Sequence, residues 1–178
     1  MKTLVIVAHP DLLSSRINAA WVNALQHQPN ITVHQLYDFY ADENINIQYE
    51  QTLLEAHERI IFQYPLYWYS SPPLLKKWFD SVLQPGWAYG PDGDKMKGKE
   101  IGIAISTYGA ASSYQPDGFN RFTIHELLRP VEALTHYISA TYLPPFVLND
   151  ISNISDTQLE QNTKEYINYI SSAFPAAS

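Results

Sequence analysis

The stretch Arg59-Ile60-Ile61-Phe62-Gln63-Tyr64-Pro65-Leu66-Tyr67-Trp68-Tyr69-Ser70-Ser71-Pro72-Pro73 decides the fold. Its first four residues end in β-branched and aromatic types, which favour a pleated strand. Pro65 has no N–H with which to continue a ladder, so the strand is expected to end at about Tyr64. From Leu74 onward, apolar residues fall at positions 74, 75, 78, 79, 82 and 83, a helical spacing, and Pro73 suits a first-turn position. A strand, an aromatic loop and a helix thus follow one another directly. Three successive aromatics on a proline-stiffened turn suit a flat aromatic ligand, although any one of Tyr67, Trp68 or Tyr69 taken alone reads first as core packing.

The same alternation recurs on both sides of this unit. Strands are expected at Leu4–Ala8, Ile31–Leu36, Ile60–Tyr64, Glu100–Ser106 and Ile138–Leu143, the last ending before Pro144-Pro145. Helices are expected at Ser15–Gln26, Gln48–Ala56, Leu74–Val82, Phe122–Thr135 and Asp156–Ser172, with Pro130 demanding a kink or break in the fourth. Gln84–Gly98, rich in Gly, Pro and Asp, reads as one long irregular excursion. Strands alternating with helices imply an α/β fold with a parallel sheet and helices on both faces. For five strands with right-handed crossovers the leading order is 2-1-3-4-5. A length of 178 residues suits a single domain spanning 1–178.

Composition narrows the function classes. With 46% hydrophobic and 16% charged residues the chain is globular, and its 13 tyrosines and four tryptophans leave amphipathic surface for ligand or subunit contact. A formal charge of -7 argues against a surface that coats nucleic acid or membrane. The absence of cysteine removes disulfides, thiolate catalysis and cysteine-ligated clusters, and fits a reducing compartment. Met1–Ala8 is too short for a signal segment and no apolar run approaches a membrane span, so a soluble cytoplasmic protein without membrane insertion is expected. The six histidines form no i, i+4 pair and no local cluster with carboxylates, so no sequence-local metal site is supported.

In the 2-1-3-4-5 order, a ligand is expected outside the carboxyl ends of the first, third and fourth strands, where the winding direction reverses. Three loops then converge. The first, His9 to Asn18, brings an imidazole, hydroxyls, an amide and Arg16 to a helix N-terminus, a setting that favours a phosphate. Ser15 alone is equally a helix cap and His9 equally a turn residue. The second loop, Pro65-Leu66-Tyr67-Trp68-Tyr69, supplies N–H groups and ring faces. The third, Ser106-Thr107-Tyr108-Gly109, adds the Thr107 hydroxyl and a glycine that admits close backbone approach. Together they seat a planar heterocycle. If that heterocycle is a flavin, donors near Tyr108 and Gly109 and the phenol of Tyr114 are placed to stabilise its reduced form.

These residues resemble the flavodoxin-like NAD(P)H:quinone oxidoreductase family, and most of all its compact bacterial members of the general stress protein 14 type. The resemblance covers nearly the whole chain. It rests on His9-Pro10 with Ser15 and Asn18, on the string from Phe62 to Trp78, and on Gly86-Trp87-Ala88-Tyr89-Gly90 with Gly98-Lys99. Ser106-Thr107-Tyr108-Gly109 and Tyr142-Leu143-Pro144-Pro145-Phe146 complete it. It implies a bound flavin and hydride transfer from NAD(P)H to flavin and on to a quinone, both substrates using one pocket in turn. His9, Ser15, Ile17 and Asn18, with Arg16 between them, match phosphate-side positions. Pro65, Leu66, Tyr67 and Trp68 match the segment along the isoalloxazine, and Ser106, Thr107, Tyr108 and Gly109 the loop at its pyrimidine edge.

Tyr114 matches a tyrosine that relays charge in the mammalian members. Their accompanying histidine, six residues on, is Asn120 here, which does not titrate near neutrality, so the relay is not copied whole. The chain also lacks the long C-terminal extension of the FAD-binding enzymes, which favours FMN over FAD. The resemblance further implies a homodimer with the flavin at the subunit interface. Gly86–Gly90 is then the candidate for closing the neighbour's pocket, against a self-packed surface loop. Besides the quinone reductase, a regulatory subunit of a glutathione-gated potassium efflux transporter and a one-electron carrier stand as alternatives. Arg16, Lys76, Lys77 and Arg121 are open candidates for contact with a 2′-phosphate.

Overall fold

The computed structural model describes residues 1–174, and the last four residues of the expected 1–178 domain lie outside that range. Five strands run parallel in the order β2-β1-β3-β4-β5, with β1 at Thr3–Val7, β2 at Ile31–Gln35, β3 at Arg59–Pro65, β4 at Glu100–Ser106 and β5 at Thr141–Tyr142. A sixth strand, β6 at Phe146–Leu148, also pairs with β4. The helices are α1 at Arg16–Leu25, α2 at Leu36–Phe39, α3 at Ile47–Glu55, α4 at Pro73–Val82, α5 at Ile124–Tyr137 and α6 at Asp156–Ser171. This is the α/β architecture and strand order expected from the alternation, and the flavodoxin-like fold that the resemblance implies.

Pleating divides the sheet into two cores. Leu4, Ile6, Ile60 and Phe62 face one side, where Trp78 of α4 and Leu128 of α5 pack on them. Val5, Val7 and Ile61 face the other, against Trp21 of α1 and Tyr166 of α6. Every residue of β1 and β3 is buried, as a strand covered on both faces must be.

Four expectations need correction. The strand expected over Ile138–Leu143 shrinks to Thr141–Tyr142, because α5 runs to Tyr137 and Ile138 closes it. Pro144-Pro145 interrupt that edge but do not end it: Thr141 stands opposite Glu100 and Phe146 opposite Ala104, so five steps on the edge match four on β4, a bulge around two residues without N–H groups. Of the kink or break expected at Pro130, the break does not occur, and α5 runs unbroken from Ile124 to Tyr137. The proline's cost of ~3 kcal/mol or more is offset by the Thr123–Glu126 capping box and by burial of Ile124, Leu128 and Thr135 on either side. The second strand stops at Gln35, and Leu36 opens the short α2, missed from sequence.

The Gln84–Gly98 excursion contains no regular strand or helix and packs on its own subunit. Trp87 Nε1 donates to Glu55 Oε1 at 2.8 Å, Tyr89 lies 5.0 Å from the Tyr137 ring, and Ala88 is buried.

Candidate active site

The loops after β1, β3 and β4 meet at the carboxyl ends of those strands and enclose two confluent hollows. One, about 400 Å³, is walled by His9, Ser15, Arg16, Ile17 and Asn18. The other, about 610 Å³, is walled by Pro65–Tyr69, Tyr108, Gly109, Tyr114 and Asn120. Pro65, Tyr67, Ser106, Tyr108 and Ile151 belong to both, so the hollows form one cleft with a polar end and an aromatic end.

At the polar end the donors are mostly backbone. Ser15 caps α1, its hydroxyl accepting from Asn18 N–H at 3.1 Å, which leaves the Arg16 and Ile17 N–H groups without an internal partner among the described residues. The Arg16 side chain is spent elsewhere: its guanidinium donates to Ile154 O at 2.7 Å and pairs with Asp156 across the mouth of α6. His9 Nδ1 accepts from Asp11 N–H at 3.1 Å, so the ring proton sits on Nε2. Burial holds the imidazole below its ordinary pKa, with the Asp11 carboxylate and backbone opposing that push. A neutral Nε2–H donor and two free helix N–H groups therefore line this end, the donor set a phosphate monoester requires.

Asn18 is buried and acts within a network. Its Nδ2 donates to Ser106 Oγ at 3.1 Å, its Oδ1 accepts from Gln63 Nε2 at 3.2 Å, and Gln63 Oε1 accepts from Tyr166 OH at 3.0 Å. Thr107 departs from the sequence expectation of a hydroxyl offered to ligand. It is buried, its Oγ1 lies 2.9 Å from both Gly109 O and Asn149 Oδ1, and its N–H donates to Leu148 O. The Tyr108 and Gly109 N–H groups have no internal partner among the described residues.

The aromatic end is held by a strained turn. Tyr67 and Ser70 exchange two backbone hydrogen bonds of 2.9 Å, and the residues between them, Trp68 and Tyr69, have φ of 45° and 63°. This is a two-residue hairpin of the type usually made by Asn-Gly, built here from two aromatics at ~1–2 kcal/mol each. The strain presents Trp68, 93% exposed, at the cleft wall. Gly109 approaches Tyr114 so closely that a Cβ there would meet ring atoms at 3.0 Å. Among the described residues Tyr114 OH makes no hydrogen bond, and it opens on the cleft, while Asn120 Oδ1 accepts from Tyr69 OH at 3.1 Å; Tyr114 and Asn120 are not bonded to one another.

Sequence reasoning missed Ile151, which touches both ends, and the neighbouring Ser152. The loop carrying them follows β6, the unexpected strand, and is tied down by Asp150 N–H to Gly109 O and Ile151 N–H to Thr107 O. Phe119 and Ser113 were likewise missed. Among the described residues no group of three His, Asp or Glu side chains is placed to hold a metal.

Residues 1–170 match a family defined by the flavodoxin-like fold. The chain belongs to this family. Among relatives, it is 49% identical over 170 residues to the uncharacterized NAD(P)H oxidoreductase YdeQ of Bacillus subtilis, covering 96% of this chain and 86% of that one. It is 45% identical to general stress protein 14 of the same organism, covering 98% and 99%. The KefG ancillary protein of a glutathione-regulated potassium-efflux system from Cronobacter sakazakii is 38% identical, over 93% of this chain and 90% of that one.

Three solved structures superpose closely on this family member. One is described as a thermophilic tryptophan halogenase from Streptomycin violaceusniger (TM-score 0.94, 44% identity, 96% and 99% covered). Another is the general stress protein 14 of Treponema denticola in complex with FMN (0.92, 38%, 96% and 98%). The third is an NADPH-quinone reductase from P. pentosaceus (0.90, 34%, 98% and 100%). Their stated activities differ, and FMN is the one ligand their descriptions state.

Proposed function

We propose that this protein is an FMN-dependent NAD(P)H oxidoreductase that reduces a quinone or related electrophile by two-electron, ping-pong hydride transfer. The observation that carries this reading is the two-ended cleft: unpaired helix N–H groups with His9 Nε2–H at one end, and the strained aromatic turn facing free Tyr108 and Gly109 N–H groups at the other. A phosphate on a chain and a flat heterocycle fit those two ends in one molecule, and the relatives' names agree. When bound, FMN supplies the hydride-accepting and hydride-donating ring.

The protein's own residues position and exclude. Arg16 and Ile17 N–H and His9 hold the phosphate, Ser106 and Asn18 fix the floor, and Pro65, Leu66, Tyr67 and Trp68 form the wall along the ring. The Tyr108 and Gly109 N–H groups, with the Tyr114 hydroxyl, would supply the hydrogen-bond donors for negative charge on the pyrimidine edge of a bound flavin. Thr107 holds the Gly109 loop in place. Asn120 orients Tyr69 and has no group that titrates near neutral pH. FAD is disfavoured because Arg16, clamped to Ile154 and Asp156, borders the phosphate end.

The exposed apolar residues Trp68, Tyr108 and Phe119 at the cleft mouth support a homodimer that covers them, whereas Gly86–Gly90, packed on its own subunit, is not the segment that supports it. A cytoplasmic location accords with the lack of cysteine; among the described residues no helix is long and apolar enough to cross a membrane. A second reading, a regulatory subunit of a potassium-efflux transporter, is favoured by the likeness to KefG.

The test is the visible spectrum of the purified protein, followed without oxygen on adding NADPH and then a simple quinone, with chromatography of the released flavin. A flavin band that bleaches and returns supports the reading. A colourless protein that takes up no FMN and oxidises no NAD(P)H overturns it.

A further inference from the structure

The two nicotinamide nucleotides differ by a 2′-phosphate, which adds about 1.5 to 2 negative charges. A chain of formal charge -7 repels that group unless a cation stands ready beside the cleft. The chain has eleven cationic side chains, and their placement removes nearly all of them.

Seven are already engaged. Arg16 pairs with Asp156, Arg59 with Glu100, Lys76 with Asp80, Lys77 with Glu43, Arg129 with Glu132 and Lys164 with Glu160. Lys99 donates to the His57 and Glu55 carbonyls that close α3. Lys2, Lys95 and Lys97 stand at the opposite end of the sheet, Lys2 immediately before β1 and the other two on the segment that leads into β4. The remaining one is Arg121.

Arg121 follows directly on Phe119 and Asn120, which wall the aromatic end of the cleft. It is exposed, and among the described residues its guanidinium has no ion-pair, hydrogen-bond or ring-stacking partner. Its backbone is fixed: Asn120 N–H donates to Ser113 O, Arg121 N–H donates to Gly118 O, and φ is 66°. A glycine or asparagine adopts that conformation at less cost, so the position carries a long cationic side chain against its backbone preference.

We propose that Arg121 recognises the 2′-phosphate of NADPH and makes the protein NADPH-preferring. This rests on the oxidoreductase reading above. Guanidinium geometry matches a phosphate bidentately, whereas the paired lysines of α4 must first give up Asp80 or Glu43.

The test uses the FMN-loaded protein and its Arg121→Gln, Arg121→Lys and Lys77→Gln variants. Steady-state kinetics with NADPH and NADH are paired with calorimetric titration of 2′,5′-ADP and 5′-AMP, which differ only in the 2′-phosphate. In the unaltered protein NADPH and 2′,5′-ADP are favoured by about 10-fold or more. Arg121→Gln removes about 10-fold of that preference through KM rather than kcat, Arg121→Lys keeps part of it, and Lys77→Gln leaves it intact. Equal use of both nucleotides, or a preference that survives Arg121→Gln or is lost in Lys77→Gln, overturns the inference while leaving the oxidoreductase standing. If neither nucleotide is oxidised, the oxidoreductase reading fails, and the calorimetric comparison still decides whether Arg121 holds a 2′-phosphate.

Discussion

Two buried polar clusters, one on each face of the sheet, are built in opposite ways. On the face covered by α3 and α4, Glu50 is fully buried and receives His34 Nε2 at 2.8 Å, Trp78 Nε1 at 2.8 Å and the Tyr40 hydroxyl. On the face covered by α1 and α6, Arg59 is buried and paired with Glu100 at the start of β3, but the cluster at the cleft end is neutral: Asn18, Gln63, Ser106 and Tyr166. The first cluster is charged and lines no part of the cleft; the second is uncharged and forms the cleft floor. Charge is thus used where only the fold depends on it, and neutral donors form the buried floor where the proposed phosphate would sit; the Asp11 carboxylate that also lines that end lies on the exposed loop after β1.

The largest expected effect comes from breaking the charged side of this contrast. Glu50→Ala leaves three buried donors unpaired and is expected to cost about 3–5 kcal/mol, read as a fall in the urea midpoint with unchanged slope. The same carboxylate sets an acid limit. Burial pushes its pKa up, and the hydrogen bonds from His34, Tyr40 and Trp78 more than reverse that push, leaving the folded value below the ordinary 4.5. Its contribution is therefore complete above the unfolded carboxyl range and is lost as pH falls through the lowered folded value. Stability measured from neutral pH to about pH 3 should decline less steeply in Glu50→Gln than in the unaltered protein.

Asn18→Leu attacks the neutral side, with a smaller expected loss of about 1–3 kcal/mol and, unlike any Glu50 variant, weakened FMN uptake. Equal FMN affinity in the two variants would erase the division of labour. Tyr114→Phe touches neither cluster and should slow flavin reduction by NADPH by about 10-fold or more with flavin still bound. Stopped-flow reduction rates equal to those of the unaltered protein would remove Tyr114 from the chemistry. The smallest effect is a gain: Trp68→Gly relieves a φ of 45° and is expected to raise stability by ~1 kcal/mol while weakening quinone turnover. A thermal melt and a quinone KM separate those two outcomes.

The order of the strands was legible because fully buried parallel strands and amphipathic helices leave different periodicities, and because Pro73, Ser15 and Gly-rich turns punctuate them. The cleft loops were legible for the same reason, since strand order alone selects which loops meet. What lay beyond reach were contacts between residues far apart in sequence. Nothing near Asn18 points to Gln63 or Ser106, and nothing near Glu50 points to Trp78; these pairings are made by tertiary packing. The turn at Trp68 and Tyr69 was hidden for another reason: aromatic residues do not signal positive φ, so the conformation shows only where the surrounding hydrogen bonds impose it. Ile151 went unseen because its loop follows β6, and two adjacent prolines conceal that a strand resumes beyond them.

Those prolines have a further consequence. Beyond β4 the edge of the sheet is only Thr141–Tyr142 and Phe146–Leu148, two short segments offset by a bulge and lacking donors at Pro144 and Pro145. A neighbouring chain seeking to extend the sheet by strand addition finds no continuous row of hydrogen-bonding groups there. The apolar run Phe146-Val147-Leu148 is thereby kept from templating fibrils.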